Sequence, residues 1–169
     1  MWGFKSLHPH HFKLNGAMGK VLVIKADENK NAADLIEHSA SITLEASGTI
    51  FDTIIVPRAL EIPSAMSFAV DSAEYDGIVC IGSIMLKSHS EMEKIIFNEV
   101  LRSINEFAVH YAIPVGIGIG LVTKKKSSWV KSCPELGVNS ANAILHMIKL
   151  KRHFTALEDD RYSVGQKHN

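Results

Sequence analysis

The chain is short of the features that most readily assign a function. Only two cysteines occur, Cys80 inside an apolar run and Cys133 in a polar one. That count excludes a disulfide-stapled scaffold and reads as two reduced thiols of a cytoplasmic protein. Charge of one sign is missing too: 18 Lys and Arg face 18 Asp and Glu, a net charge of zero. Such a balance argues against a surface built for nucleic acid or another polyanion, and favours association over solubility. No apolar run approaches the roughly 20 residues that a membrane-spanning helix needs. The opening stretch MWGFKSLHPHHFKLNGAMG lacks the 7–15-residue apolar core of a secretory signal. Also absent are an HExxH helix, a CxxC pair, a Ser-His-Asp order and a cluster of carboxylates, so a metal site is not expected. The glycines of GIGIG, Gly116 to Gly120, lie within an apolar run instead of opening a helix. They are read as letting a helix or a neighbouring subunit approach a strand closely, not as a phosphate loop.

What remains is an ordinary globular composition, 46% apolar and 21% charged over 169 residues, enough for one domain with a sizeable core. Residues 1–19 read as an N-terminal extension; its His8, His10 and His11 are either metal ligands or, without a matching ligand cluster elsewhere, solvated side chains. Residues 155–169, with the charges of EDDR, read as a frayed C-terminal tail.

Between these ends, residues 20–154 alternate between two periodicities. KVLVIKA, TIFDTIIV, YDGIVCIGSIM and IPVGIGIGLVT read as four strands. Leu35, Ile36, Ser39, Ala40, Thr43 and Leu44 recur at helical spacing, with Glu37, His38 and Glu45 turned outward and Gly48 ending the helix. A second helix starts at Pro63, buries Ala65, Met66, Ala69, Val70 and Ala73, and a third spans roughly Glu91 to Tyr111. Two closing helices are expected, from about Lys125 to Ser132 and from Gly137 to Phe154. Strands separated by helices require crossover connections. The fold class is therefore α/β: a three-layer α-β-α sandwich with a four-stranded, mainly parallel, flavodoxin-like sheet.

In such sheets ligands collect beyond the carboxyl ends of the strands. That rule selects ADENKN, PRALEIP, GSIMLKSHSE and LVTKKKSS. The lone carboxylate Glu61, set among apolar neighbours in VPRALEIPSAM, sits in one of them. In LKSHSEMEK, residues Lys87, Ser88, His89 and Ser90 precede a helix. One reading is a capping box of Ser90 and Glu93 with a solvated His89. The other is a phosphate seat at the helix N-terminus with an imidazole able to move protons. The three lysines of TKKKSS are a solvated loop or a steering charge for an anion.

Taken in order, VPRALEIPSAM, YDGIVCIGSIM, NEV at Asn98 to Val100, IPVGIGIGLVT and HMIKLKRHF resemble the 6,7-dimethyl-8-ribityllumazine synthase family over Lys20 to about Phe154. The family patterns are VPGAxEIP, YDAVIALGCVI and IPVIFGVLT. The resemblance implies the lumazine synthase fold and a cofactor-independent transferase of riboflavin biosynthesis. That enzyme condenses 5-amino-6-(D-ribitylamino)uracil with 3,4-dihydroxy-2-butanone 4-phosphate, giving the lumazine, phosphate and water. It also implies a homo-oligomer built from pentamers, possibly a decamer or a sixty-subunit shell, with each site lying between adjacent subunits. No nucleic acid or membrane partner is implied.

On the matching positions, Ala59, Leu60 and Glu61 are implied to hold the pyrimidine and its ribityl chain, Glu61 accepting hydroxyl hydrogen bonds. Ser83, Ile84 and Met85 match the next wall, and Ile117 falls where a neighbouring subunit offers a phenylalanine. Asn29 matches, while Glu28 stands where the family has an aromatic residue. The family's histidine falls on Glu91 or Met92, leaving His89 as the nearest imidazole for proton transfer, with Ser88 and Ser90 beside it for the phosphate. The family's phosphate-binding arginine falls near Ser132, beside Lys131. The alternative is a ring-forming homologue that binds a ribityl-pyrimidine or flavin-like ligand without turnover.

Overall fold

The computed structural model of the chain describes residues 19–72, 74–87 and 91–165. The element order is β1 (Val21–Ala26), α1 (Lys30–Ala46), β2 (Phe51–Val56), α2 (Ile62–Ser72), β3 (Gly77–Met85), α3 (Met92–His110), β4 (Val115–Val122) and α4 (Ser132–Gly165). Short 3-10 turns at Ala59–Glu61 and Lys126–Ser128 precede α2 and α4. The strands form one parallel sheet in the order β2-β1-β3-β4. Val21 lies opposite both Phe51 and Gly77, and Ile78 lies opposite Val115.

The two inner strands are apolar because both their faces are covered. On one side Val21, Val23, Val79 and Ile81 meet Ile36, Ala40 and Leu44 of α1 and Ala141, Ile144 and Ile148 of α4. On the other, Leu22, Ile24, Ile78 and Cys80 meet Ile62 and Met66 of α2 and Val100 and Ile104 of α3. Hence the sheet lies between two helical layers, as the alternating pattern predicts. Ala69 and Val70 pack at the margin of the second core; Ala73 lies outside the described residues.

The glycines of β4 are explained by α4. A side-chain carbon at Gly116 would stand 2.2 Å from the carbonyl oxygen of Ser140, and one at Gly120 would stand 2.8 Å from Leu136. The contact is reciprocal in kind, since Gly137 of α4 leaves room for only 2.1 Å to the carbonyl of Ile36 in α1. Helix α4 therefore settles onto both the sheet edge and α1 because three positions have no side chain.

Four features differ from the sequence pattern. The closing segment is not two helices but a 3-10 turn followed by one helix from Ser132. Pro134 is accepted in its first turn, where the missing N–H has no partner anyway, and Gly137 is accepted because packing demands it. That helix continues past Phe154 to Gly165, where a frayed end is expected. Helix α2 begins at Ile62, one residue before Pro63, after a turn that the loop pattern does not reveal. Glu37 is not simply outward: its Oε2 accepts a hydrogen bond from Nζ of Lys25 at 2.7 Å, and Lys25 also pairs with Asp34. Lys25 is 5% exposed in the middle of the sheet, so its charge depends on those two carboxylates of α1. Burial pulls its pKa down, but the two hydrogen bonds outweigh it and hold the ammonium above its usual value.

Helix propensity alone favours alanine over glycine by about 1 kcal/mol in a helix interior. At Gly137 the contact reverses the sign. Gly137→Ala is expected to lower the unfolding free energy by about 1–3 kcal/mol, as overpacked substitutions do. Urea unfolding reads it as a lowered midpoint, and an unchanged or raised midpoint contradicts the contact.

Candidate functional site

All four strands point their carboxyl ends the same way, so four connections share one edge of the sheet. The β1–α1 connection runs over Asp27, Glu28 and Asn29. The backbone N–H of Asp27 still reaches the Val56 carbonyl at 3.0 Å, which ties this connection to the end of β2. Asn29 caps α1 through its carbonyl, which accepts N–H bonds from Ala32 at 3.1 Å and Ala33 at 3.0 Å, while its side chain makes no capping bond.

The β2–α2 connection is held tightly. Ala59 is fully buried, and its N–H donates to Oε1 of Glu28 at 3.3 Å. The 3-10 turn Ala59–Glu61 places Leu60 outward, 44% exposed. Nη2 of Arg58 donates to Oε1 of Glu61 at 2.6 Å. The other oxygen of that carboxylate, Oε2, is buried and has no hydrogen-bond partner among the described residues. Glu28 and Glu61, both in this cluster, are pushed in opposite directions. The Arg58 hydrogen bond holds the carboxyl of Glu61 below the usual carboxylate range. Glu28 is raised, first by desolvation of its carboxyl end and also by the charge of Glu61, against the pull of the Ala59 N–H and the Arg58 charge.

At the end of β3, Ser83 is fully buried, and neither its Oγ nor the buried Oδ1 of Asp27 has a hydrogen-bond partner among the described residues. Ile84 and Met85 divide between the two cores. Beyond them, Nζ of Lys87 stands 3.5 Å from Oε1 of Glu93, a carboxylate buried in the first turn of α3. The helix begins at Met92, with Glu91 in the cap position. Ser88, His89 and Ser90, and with them the capping-box and imidazole readings, lie outside the described residues, as do His8, His10 and His11.

After β4, the connection folds back on Trp129, whose indole N–H donates to the Thr123 carbonyl at 3.0 Å and whose ring enters the first core. Lys131 and Ser132 follow, both exposed, with Ser132 Oγ donating to the Trp129 carbonyl at 3.3 Å. Ile117 is elsewhere. It pairs with Cys80 in mid-sheet and lines a groove of about 450 Å³ between α3, β4 and α4, with Ala108, Ile113, Pro114, Met147 and Phe154.

The structure thus brings Glu28, Asn29, Ala59, Leu60, Glu61, Ser83, Ile84 and Met85 to one edge, and places Lys131 at the end of the connection that leaves the same edge and Ser132 at the start of α4. Within one chain it does not bring Ile117 to them. Motif reading missed Arg58, Asp27 and the Lys87–Glu93 pair. None of these carried a signal in spacing, since each depends on what its side chain meets in the fold. Among the described residues, no group of three or more His, Cys, Asp or Glu is arranged to hold a metal. Nor is any described helix long and apolar enough to cross a membrane. The edge offers acceptors for hydroxyl and amine donors, apolar walls and lysines in two of the four connections.

The family model of 6,7-dimethyl-8-ribityllumazine synthase matches residues 19–152. Curated relatives carry the same description. One from Agrobacterium fabrum is 34% identical over 140 residues, covering 78% of this chain and 94% of its own length. Another, 6,7-dimethyl-8-ribityllumazine synthase 1 of Rhizobium meliloti, is 32% identical over 144 residues, covering 80% and 94%. A third, from Mesorhizobium japonicum, is 30% identical over 159 residues, covering 89% and 96%. The match to the family model along most of the chain, with relatives of 30–34% identity, places this four-stranded parallel α/β protein in the 6,7-dimethyl-8-ribityllumazine synthase family.

Proposed function

We propose that the protein condenses 5-amino-6-(D-ribitylamino)uracil with 3,4-dihydroxy-2-butanone 4-phosphate to form 6,7-dimethyl-8-ribityllumazine in riboflavin biosynthesis. Family membership supports the reaction. The observation that carries the site is the Ala59–Glu61 turn, with its buried unpartnered Oε2. The ribitylamino-pyrimidine's amine condenses with the ketone with loss of one water, inorganic phosphate is eliminated, and the ring closes onto the remaining carbonyl with loss of a second water. No step is redox, so the demands are to hold two molecules together, accept their donors and move protons.

Ala59 and Leu60 form the apolar side of the pyrimidine site, and Glu61 takes hydroxyl groups of the ribityl chain. Ser83, Ile84 and Met85 form the second wall, with Glu28 and Asn29 at its border. Ser88, His89 and Ser90 connect Lys87 to the start of α3, where free N–H groups favour an anion. We assign Ser88 and Ser90 to the phosphate, His89 to proton transfer, and Lys131 with Ser132 to the outer side of the phosphate. Lysine offers a point charge, not the planar fork of an arginine, so this clamp is looser.

The site is completed by a second copy. Unlike apolar surfaces lie on opposite edges of the sheet. Ile55 of β2 and Phe68 of α2 are 65% and 75% exposed, while the groove containing Ile117 lies beyond β4. Two such surfaces join head to tail, and a head-to-tail contact that closes makes a ring. A pentamer, alone or further assembled, is the arrangement we assign, and the cytoplasm is its compartment. Cys80 and Cys133 are both free and buried, as in a reducing environment.

The purified protein is expected to form lumazine from the two substrates faster than the uncatalysed condensation. Glu61→Gln is expected to raise KM for the pyrimidine by roughly tenfold, because a charged acceptor is lost. Absent turnover removes the reaction, and binding of the ribityl-pyrimidine without turnover leaves a non-catalytic homologue. Light scattering is expected to give a mass of five subunits of 18.6 kDa, or a multiple. A single-subunit mass contradicts the shared site.

A further inference from the structure

Resting on the function proposed above, one side chain in the site has a role that the family assignment does not provide. Arg58 leaves the end of β2 in an extended conformation, φ −144° and ψ 166°, and its side chain turns back onto Glu61 three residues later. Exposed i,i+3 ion pairs of this kind usually matter little. Three observations separate this one from them.

First, the turn carrying both residues is fixed at three points. Ala59 is fully buried, its N–H is held by Glu28, and the N–H of Glu61 donates to the Arg58 carbonyl at 3.2 Å. Second, the two oxygens of Glu61 are in unlike surroundings: Oε1 takes the guanidinium, while Oε2 is buried with no hydrogen-bond partner among the described residues. A buried carboxylate oxygen without a partner carries a desolvation cost that a ligand donor would relieve. Third, Glu28 lies close enough that its charge and that of Glu61 act on one another, and Arg58 acts on both. Without the cation, two carboxylates would repel across the turn, and Glu61 would gain by swinging toward water.

We propose that Arg58 is a positioning residue for ligand selection: by holding Oε1 of Glu61 it presents Oε2 to a hydroxyl donor of a polyol-bearing ligand. The guanidinium itself remains 59% exposed at its side chain, so it sets the carboxylate without being sealed beneath the ligand. The selection is between ring systems with a hydroxylated chain and the same ring without one. Because the carboxylate meets the chain and not the ring, removing Arg58 should weaken only ligands that carry the chain.

Calorimetry on the full-length protein tests this with 6-(D-ribitylamino)uracil and 6-(methylamino)uracil against the native chain, Arg58→Met and Arg58→Lys. Arg58→Met is expected to weaken the ribityl compound by about threefold to tenfold, as for loss of a well-placed charged acceptor. The methylamino compound should be unaffected. Arg58→Lys, which keeps the charge but not the fork, should fall between native and Arg58→Met for the ribityl compound alone. Equal weakening of both compounds makes Arg58 merely structural and overturns the proposal, as does no change in either. If Arg58→Met misfolds by circular dichroism, Arg58→Lys decides by the same comparison. A native protein that fails to bind the ribityl compound overturns the function reading and this proposal together. Native binding with indifferent variants overturns the proposal alone.

Discussion

Double-sided burial of the two inner strands is the constraint on which the rest of this molecule depends. Val21, Val23, Leu22 and Ile24 of β1, and Ile78, Val79, Cys80 and Ile81 of β3, have no solvent-facing side. A strand in that position carries a polar group only where the group is paired or where the strand ends. Lys25 is the paired case, neutralised by Asp34 and Glu37. Asp27 and Ser83 are the other, near the strand ends with oxygens that have no hydrogen-bond partner among the described residues. Buried side-chain oxygens without partners thereby gather among the described residues at the carboxyl edge of the sheet, where the connections lie.

The same constraint explains why the edge strands look different. β2 exposes Thr53, Ile54 and Ile55, and β4 replaces side chains by glycines where α4 lies closest. One outer edge is apolar and bare, and beyond the other lies a groove containing Ile117. In the assembly proposed above, the strand-end site and the apolar sheet edges act together, because a neighbouring copy brings Ile117 to that site.

The architecture was legible because its signals are local. Runs such as VLVIKA and GIVCIGSIM are too uniformly apolar for a one-faced strand, and the intervening helical spacing of Ile36, Ala40 and Leu44 demands crossovers. The glycines of β4 announced a close approach, though not that α4 was the neighbour. Less legible was whatever depends on register between elements. The Lys25 pairs join a strand to the following helix, and the continuity of α4 through Pro134 and Gly137 depends on what that helix packs against. In the site, the carboxylate at Glu61 stood out as a charge within an apolar turn, while its partner Arg58 and the unpartnered oxygens of Asp27 and Ser83 needed coordinates. Neither ion-pair geometry nor an oxygen's lack of donors leaves a trace in spacing.

The central claim is that Glu61 of one copy and Ile117 of the next serve one site. Subunit mixing tests it most directly. Glu61→Gln and Ile117→Ser proteins are each prepared, dissociated in urea, combined in equal amounts and reassembled before lumazine formation is measured. Random mixing puts both native residues at about one site in four, so the mixture should recover roughly a quarter of native activity when each parent alone has little. Activity no greater than the sum of the two parents would mean that both residues act within a single chain, or that Ile117 takes no part.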